Sequence, residues 1–583
     1  MRLFFLCFRR SIPLWSFIVV LSSFLTPAVF SEETPAAHLQ ALAKKAQKLF
    51  AAGRYQEALP PARELLALTE KIAGPDHPVV AQSLTNLALI LQKDKQYTEA
   101  RPLFERALKI EESTLGPDNP EVVRGLTNLA LLLQETEDYT AARPLLERAL
   151  KINQAALGPE DPAVALSLLH LAELHRETGE FAAARPLLER ALTIQEKVYG
   201  PEHLTVAATL TALGLLEKDT ADYRKAQSLQ TRALQIRQTA LGPTHPDVAE
   251  SFNNLGSALY QTGNFVAARP MFEQAAAIYE KAYGPSHPMV ATSLNNLASL
   301  QYQVQDYAGA KKIYQRALAI NEKNYGPMHP TVAMSLNNLA LVVRESGDVA
   351  GSRPLYERAL KINETVYGPN HPNVAVSLNN LASLLHQQGN YAAARPLFER
   401  ALAIMENALG REHRNVATSL NQFALFLKDA KDADESRRLY ARALAIETRA
   451  LAPGQKDIAV SLNNLATTMS GLAALLEETK QYNAIVPLYE QGVGLIESSL
   501  GAQHPNLALN LKTLASFYSA QGKIAEAVTV NEKALHIQEI ALPPKDPATI
   551  DTLQQLAVLY EKQGQHEEAE KALARAREDT SKK

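Results

Sequence analysis

The sequence predicts an all-α protein, a superhelical solenoid of about thirteen antiparallel helix pairs. Two observations predict it. The chain repeats at intervals of 42 residues over most of its length, and each repeat holds two segments whose apolar residues recur at steps of three and four. One helix pair cannot bury both of its apolar faces, whereas stacked pairs share a continuous core. The repeat therefore predicts one elongated array and not several compact domains.

The clearest copy of the repeat runs from His371 to Gly410. Its first helical pattern places five apolar residues on one stripe, namely Val374, Leu378, Leu381, Ala382 and Leu385. Its second pattern does the same with Tyr391, Ala394, Phe398, Ala401, Met405 and Ala408. Gly389 and Asn390 separate the patterns as a breaker and a capping residue. Gly410 is expected to end the second helix in a left-handed cap conformation.

The interval between repeats is constant up to residue 452. Second helices close on Gly74, Gly116, Gly158, Gly200, Gly242, Gly284, Gly326, Gly368 and Gly410. From Ala452 to Gly501 the interval is longer, which predicts a seven-residue insertion near residues 467–473. Because seven residues are almost two helical turns, we expect a lengthened first helix, with a kink at Gly471 as the alternative. The array is predicted to span residues 35–579 and to be followed by a polar tail at 580–583.

The residues of the unit resemble the tetratricopeptide repeat. The resemblance is carried by Leu378, Leu381, Ala382, Leu385, Gly389, Tyr391, Ala394, Phe398 and Ala401. The usual repeat has about 34 residues. The greater length here, with the phrase GPxHPxVAxSLNNLA, is similar to the kinesin light chain-like type and its bacterial relatives, and it covers residues 38 to 575. The resemblance implies a non-enzymatic protein–protein interaction scaffold that binds a protein segment or extended peptide in the concave groove of the superhelix.

The first 31 residues differ from the array. Three arginines within the first ten residues precede an apolar run from Ile12 to Phe30, a pattern typical of a signal peptide. An uncleaved N-terminal membrane anchor is the alternative. Either way we expect an exported bacterial protein, periplasmic or secreted, or anchored with its repeats outside the cytoplasm. The only cysteine, Cys7, lies in this segment, so thiolate chemistry is not expected in the mature chain.

Composition and motifs favour no catalytic, metal or nucleic-acid function. The formal net charge is −3 and the charges are mixed in sign, unlike a basic nucleic-acid surface. Neither a phosphate-binding loop, a nucleophile elbow nor a metalloprotease helix is recognisable. We therefore expect no enzyme and no cofactor. Histidines recur at one place per repeat, His77, His203, His245, His287, His329, His371, His413 and His504. We interpret them as polar residues at helix starts and predict no metal site, because equivalent residues of stacked repeats lie too far apart for one zinc ion.

Two other polar patterns recur. Arg395, Glu399 and Arg400 are expected to be solvated charges on the exposed side of the second helix, with modest pairing. Asparagine precedes the signature leucine in many first helices, although it is a poor helix former. We call this the second position and the residue before it the first position. The predicted peptide-binding residues are, at the second position, Asn86, Asn128, Asn254, Asn296, Asn338, Asn380 and Asn464, and at the first position, Asn253, Asn295, Asn337 and Asn379.

Alternatives remain open at this level. The asparagines are expected either to bond a ligand in the groove, as the resemblance implies, or to bond neighbouring helices and fix the stacking. The protein is expected to bind a protein or peptide partner. The alternative functions are an architectural or self-associating scaffold of an envelope complex and a kinesin light chain-type cargo adaptor. Contact with a membrane is expected only through an uncleaved N-terminal segment.

Overall fold

In a computed structural model, the described residues are 35–51, 54–451, 458–541 and 546–580. The N-terminal segment of residues 1–31, the breaker Gly53 and the last three residues of the predicted tail lie outside them. The described residues form 26 α-helices and contain no strand, which confirms the all-α solenoid of thirteen helix pairs. They fall into two compact units: one holds the residues up to Leu216 with Ser228–Pro243, and the other holds Glu217–Gln227 and the residues from Thr244 onward.

The N-terminal unit contains eight complete helices. They are α1 (Pro35–Ala51), α2 (Tyr55–Ala73), α3 (Pro78–Lys93), α4 (Tyr97–Leu115), α5 (Val122–Glu135), α6 (Tyr139–Leu157), α7 (Pro162–Glu177) and α8 (Phe181–Tyr199). The next two helices, α9 (Leu204–Asp219) and α10 (Tyr223–Leu241), are divided between the units.

The C-terminal unit contains sixteen complete helices. They are α11 (Pro246–Gln261), α12 (Phe265–Tyr283), α13 (Pro288–Gln303), α14 (Tyr307–Tyr325), α15 (Pro330–Glu345), α16 (Val349–Tyr367), α17 (Pro372–Gln387), α18 (Tyr391–Leu409), α19 (Arg414–Asp429), α20 (Ala433–Ala450), α21 (Ile458–Glu478), α22 (Ile485–Leu500), α23 (Pro505–Ala520), α24 (Ile524–Ala541), α25 (Pro547–Gln563) and α26 (His566–Thr580). A 3-10 turn, Tyr482–Ala484, precedes α22.

The ends of the helices follow from capping residues. His371 accepts a hydrogen bond at Nδ1 from the backbone N–H of Asn373 (3.1 Å), and Pro372 begins α17. Asn390 caps α18 by accepting from the N–H of Ala393 at 3.2 Å. Gly410 ends α18 at φ 85° and ψ 150°. The positive φ was expected, but the extended ψ differs from the left-handed cap and lies in a region open almost only to glycine.

Apolar seams hold the repeats together. In the repeat of α17 and α18, Leu381, Leu385 and Phe398 are buried in a cluster that also includes Phe423 and Phe426 of α19. This helix pair therefore shares its core with the next pair, as an array requires. In the part of the chain that the structure describes, no helix combines the length and the apolar character needed to cross a bilayer.

The insertion lies in α21. This helix has 21 residues and is continuous, whereas α17 and α19 have 16. Gly471 is inside it, and a Cβ built there would lie 2.5 Å from the ring of Tyr440 on α20. Glycine at this position therefore lets the buried Tyr440 ring pack against α21.

Candidate protein-binding surface

First helices of the C-terminal unit lie side by side. Direct contacts join α11 to α13, α15 to α17, α17 to α19 and α19 to α21. We call the helices α11, α13, α15, α17, α19 and α21 the first-helix wall. The wall is where the sequence places the predicted asparagines of this unit.

The helices of the wall differ in how much of one face stays uncovered: residues 296–301 of α13 are all buried, whereas α17 keeps an open face. On α17 five exposed or half-buried residues recur at steps of three and four, namely Asn373, Val376, Asn380, Ser383 and Gln387. We call this the wall stripe. Val376 is 39% exposed, and Leu425 on α19, at the position of Ser383, is 45% exposed. Sequence reasoning missed these two apolar residues, although their spacing from the asparagine row was readable.

Most first-position asparagines of the C-terminal unit face into the array, whereas Asn295 is half-buried. Asn253, Asn337 and Asn379 are all buried, and Asn379 is 4% exposed. Asn379 donates from Nδ2 to the hydroxyl of Ser419 on the next first helix at 3.0 Å, and Asn253 donates in the same way to Ser293 at 2.9 Å. These two amides therefore link consecutive repeats.

The serine acceptors explain which asparagines form that link. Ser335 and Ser377 accept instead from the second helix of the preceding pair, through Asn321 and Asn363, each at 2.9 Å. The equivalent first-helix asparagines, Asn295 and Asn337, are therefore not bonded to these two serines. Each of them has a buried Oδ1 without a partner. In the repeats of Ser293 and Ser419 the second helix carries Tyr279 and Met405, which cannot donate an amide proton. The donor thus switches from second to first helix.

Second-position asparagines are placed differently. Asn128, Asn338 and Asn380 are half-buried, and within the described residues their side chains make no hydrogen bond. Asn254 is also half-buried, with a buried Nδ2 that has no partner. Within the described residues, no protein group uses the donors and acceptors of these amides.

Three second-position asparagines have partners. Asn86 accepts from Gln82 at 3.1 Å, and Asn296 donates to Asn253 at 3.5 Å. Asn464 is buried and donates to Glu447 at 3.0 Å. The second position is therefore not uniform along the chain.

Other residues interrupt the row. His170 occupies the second position on α7 and is buried, with an Nδ1 that lacks a partner. Burial lowers the pKa of His170 to about 4, so the ring is neutral at physiological pH. His386, next to the wall stripe of α17, lies 3.1 Å from the carboxylate of Asp429 and packs its ring edge-on against Phe426. Both histidines thus belong to the packing of the repeats.

The recurring histidines stand at helix starts, as expected. His287, His329 and His413 each accept at Nδ1 from the N–H two residues on, at 3.1–3.2 Å. Four of the series also stack on a tyrosine of the preceding helix, for example His371 on Tyr367 with ring centroids 4.3 Å apart. Among the described residues, no group of three acidic, histidine or cysteine side chains is arranged to hold a metal ion.

The exposed charges of the second helices are more organised than expected. Arg395 pairs with Glu399 at 2.9 Å within its helix, as predicted, and also with Glu435 of the next repeat at 2.7 Å. Arg400 instead reaches the preceding repeat, bonding Glu364 at 2.8 Å and the carbonyl of Pro369 at 3.2 Å. The interpretation of Arg400 as a solvated charge was incomplete. We call this pair of bonds, to a glutamate and to a backbone carbonyl of the preceding repeat, the clasp. The clasp recurs at Arg106, Arg148, Arg358 and Arg442, where Arg442 bonds the carbonyl of Arg411.

The repeats also match models of a known protein family. Models described as "Tetratricopeptide repeat" match residues 39–113, 79–155, 121–197, 163–239, 219–281, 247–323, 290–351, 331–407, 416–454, 465–540 and 511–580. The chain belongs to the tetratricopeptide repeat family. Repeats of this family suggest a protein–protein interaction scaffold and are typically not enzymes.

Solved structures similar to this tetratricopeptide repeat protein include kinesin light chain-like proteins. BtubC (BKLC) from P. vanneervenii is 24% identical, with a TM-score of 0.35, over 40% of this chain and 92% of its own. A putative kinesin light chain of Podosopora anserina is 24% identical, with a TM-score of 0.33, over 36% of this chain and 99% of its own. A variant form of that kinesin light chain is 23% identical, with a TM-score of 0.33, over 35% of this chain and 97% of its own. No curated protein matches the chain.

Proposed function

We propose that the first-helix wall binds an extended segment of a partner protein and that second-position asparagines bond its backbone. The observation that carries the proposal is the pair Asn338 and Asn380. They occupy equivalent positions on the contacting helices α15 and α17, half-buried, with no hydrogen-bond partner for either side chain in the described residues. The amide atoms of both side chains are open to solvent, so a ligand can bond them without breaking a hydrogen bond inside the protein.

The chemistry of asparagine suits a peptide backbone. One amide side chain donates and accepts, and an extended chain presents both N–H and C=O groups. Packed helices lie about 8–10 Å apart, and an extended chain rises about 3.3 Å per residue. A segment running across α15 and α17 would thus meet Asn338 and Asn380 at positions roughly three residues apart. Because these contacts address the backbone, they tolerate many ligand sequences.

Residues beside the asparagines would supply selectivity. Val376 and Leu425 offer exposed apolar surface on α17 and α19, and Ser383 and Gln387 add polar contacts on the wall stripe. We therefore propose a ligand with aliphatic side chains at some positions. The buried first-position residues Asn253 and Asn379 are assigned to stacking, because their amide protons are already bonded to serine.

Cross-linking tests where a ligand lies. A peptide would be selected from a phage-displayed library on the purified chain and labelled. Benzoylphenylalanine would replace Val376 on the wall in one variant and Val266, which is 89% exposed on the second helix α12, in the other. We expect cross-linking from position 376 and none from position 266. The reverse result would refute the wall as the binding surface.

Self-association is a second candidate function. Tyr283, Tyr325 and Tyr367 are exposed at the ends of successive second helices, which leaves three aromatic rings in a row. Replacing all three by serine would abolish a concentration-dependent increase in sedimentation coefficient if this edge joins two copies. An unchanged sedimentation profile across concentrations would exclude this role.

We also propose that the protein is exported, on the basis of the basic and apolar pattern of residues 1–31. Intact-mass analysis of protein from an exporting host should show loss of about these residues, or the protein should remain with the membrane. Trp15 is the only tryptophan, so the cleaved form would lack tryptophan fluorescence. Soluble full-length protein in the cytoplasm would contradict both versions.

A further inference from the structure

The repeat formed by α19, α20 and α21 contains a fully buried carboxylate. Glu447 on α20 has no exposed surface, and its Oε1 accepts from Nδ2 of Asn464 on α21 at 3.0 Å. Its other oxygen, Oε2, is buried without a hydrogen-bond partner. Glu447 stands where two earlier repeats carry Asn321 and Asn363, neutral amides that donate to a serine.

Asn464 connects this carboxylate to the neighbouring first helix. Its Nδ2 also lies 3.4 Å from the carbonyl oxygen of Arg414, and its Oδ1 accepts from the hydroxyl of Thr418 at 3.2 Å. Thr468, one turn further along α21, donates to Asn421 at 2.9 Å. A polar network therefore joins α19, α20 and α21, and Glu447 is its acidic member.

This network lies where the array changes its period. α21 is the lengthened first helix, and it follows α20 after an interval that is longer than in the earlier repeats. Packing between α20 and α21 thus attaches the repeats from α21 onward to the regular ones before them. We call this contact the α20–α21 joint.

We propose that the α20–α21 joint is a proton-dependent contact, closed most firmly when Glu447 carries its proton and loosened when Glu447 ionises. A protonated carboxyl carries no charge into the interior. An ionised carboxylate would accept from the Asn464 amide and have the Ser461 hydroxyl nearby, but its Oε2 would remain a buried oxygen without a hydrogen bond. Opening the α20–α21 joint lets water solvate the ionised carboxylate, so ionisation of Glu447 favours the open joint.

Electrostatics agree with this geometry. Burial raises the pKa of Glu447 to about 7, while hydrogen bonding by Asn464 and Ser461 and the charge of Arg414 lower it by smaller amounts. From α21 the facing groups are the neutral Ser461 and Asn464, and from α19 the charged one is Arg414. Since the group's pKa is higher when the joint is closed than when it is exposed, closure is favoured most at low pH. The stabilisation of the closed joint by the proton of Glu447 is lost as the pH rises from about 4.5 to about 7. Above pH 7 the stability of the joint no longer changes with the ionisation of Glu447.

Hydrogen exchange of the full chain tests the proposal. Protection factors, corrected for the intrinsic pH dependence of exchange, would be compared over α20 and α21 from pH 5 to pH 8. In the unmodified protein we expect them to fall about 10- to 100-fold. In Glu447→Gln the fall should be much smaller. The surface variant Glu399→Gln, whose carboxylate pairs with Arg395, serves as the matched control and should behave like the unmodified protein.

A second variant keeps the test decisive if Glu447→Gln does not fold. Glu447→Asn introduces the residue that Asn363 provides in its own repeat, where it bonds Ser377. It should fold, bond Ser461 in the same way and show a flat pH profile. Equal pH dependence in the unmodified protein, Glu447→Gln and Glu447→Asn would overturn the proposal.

Discussion

Asn379 on α17 donates its side-chain amide to the hydroxyl of Ser419 on α19, across 3.0 Å and between consecutive repeats. The next residue, Asn380, is half-buried on the wall stripe, and its side chain has no hydrogen bond within the described residues. Successive residues of a helix point about 100° apart, so two adjacent asparagines serve two surfaces. One is bonded in the stacking of the repeats, and the other is available to a ligand.

Replacing Asn379 by alanine should destabilise the array locally. The lost bond and the buried hydroxyl left without its donor cost about 1–3 kcal/mol, offset in part by alanine's better helix propensity, about 0.5 kcal/mol, and by removal of the buried Oδ1 of Asn379, which has no partner. Hydrogen exchange should accelerate in α17 and α19 and change little in α11. Asn380→Ala is the matched control and should be neutral or slightly stabilising. Equal destabilisation by both variants would contradict the assignment.

A donor on the second helix should make Asn379 dispensable. Met405 stands where Asn363 stands one repeat earlier, and Asn363 donates to Ser377. In a Met405→Asn background Ser419 would gain that donor, so Asn379→Ala should cost much less than in the unmodified protein. A double-mutant cycle on local exchange free energies measures the difference, for which we expect about 0.5–1.5 kcal/mol. A coupling energy of zero would mean that the two donors do not share one acceptor.

Gly471 should resist substitution because of a single contact. A Cβ at this position would lie 2.5 Å from the Tyr440 ring, so Gly471→Ala should destabilise α20 and α21 by about 1–3 kcal/mol. Gly494 on α22 is the control, since a Cβ there would meet no atom within 4 Å. Gly494→Ala should stabilise by about 0.5–1 kcal/mol. Local hydrogen exchange distinguishes the outcomes, and tolerance of Gly471→Ala would disprove the close approach.

Much of the fold was predictable because it is local. The helix breaks, the histidine and asparagine caps and the closing glycines follow from short-range backbone chemistry, which repeats with the sequence. The clasp from Arg400 to Glu364 was missed because it joins residues 36 positions apart. Prediction of ion pairs from a helical pattern considers only residues three and four positions apart.

The division of the asparagines could not be predicted from their own positions. Whether Asn379 or Asn337 bonds a serine depends on the residue that the intervening second helix offers, Met405 in one case and Asn363 in the other. Competition between two donors for one buried hydroxyl is a tertiary effect. The same holds for the exposure of Val376, which depends on how closely α15 and α19 approach α17.

Affinities for one labelled peptide test most directly whether Asn338 and Asn380 bond a ligand. A labelled peptide that cross-links to position 376 would be titrated by fluorescence polarisation against the unmodified protein, Asn338→Ala/Asn380→Ala, and Asn379→Ala. Two lost backbone bonds of about 0.5–1.5 kcal/mol each predict a Kd raised about 5- to 150-fold in the double variant, with no loss of helix content. Asn379→Ala should bind within about twofold of the unmodified protein while being less stable. An unchanged Kd in the double variant, or weakened binding only in Asn379→Ala, would contradict the account.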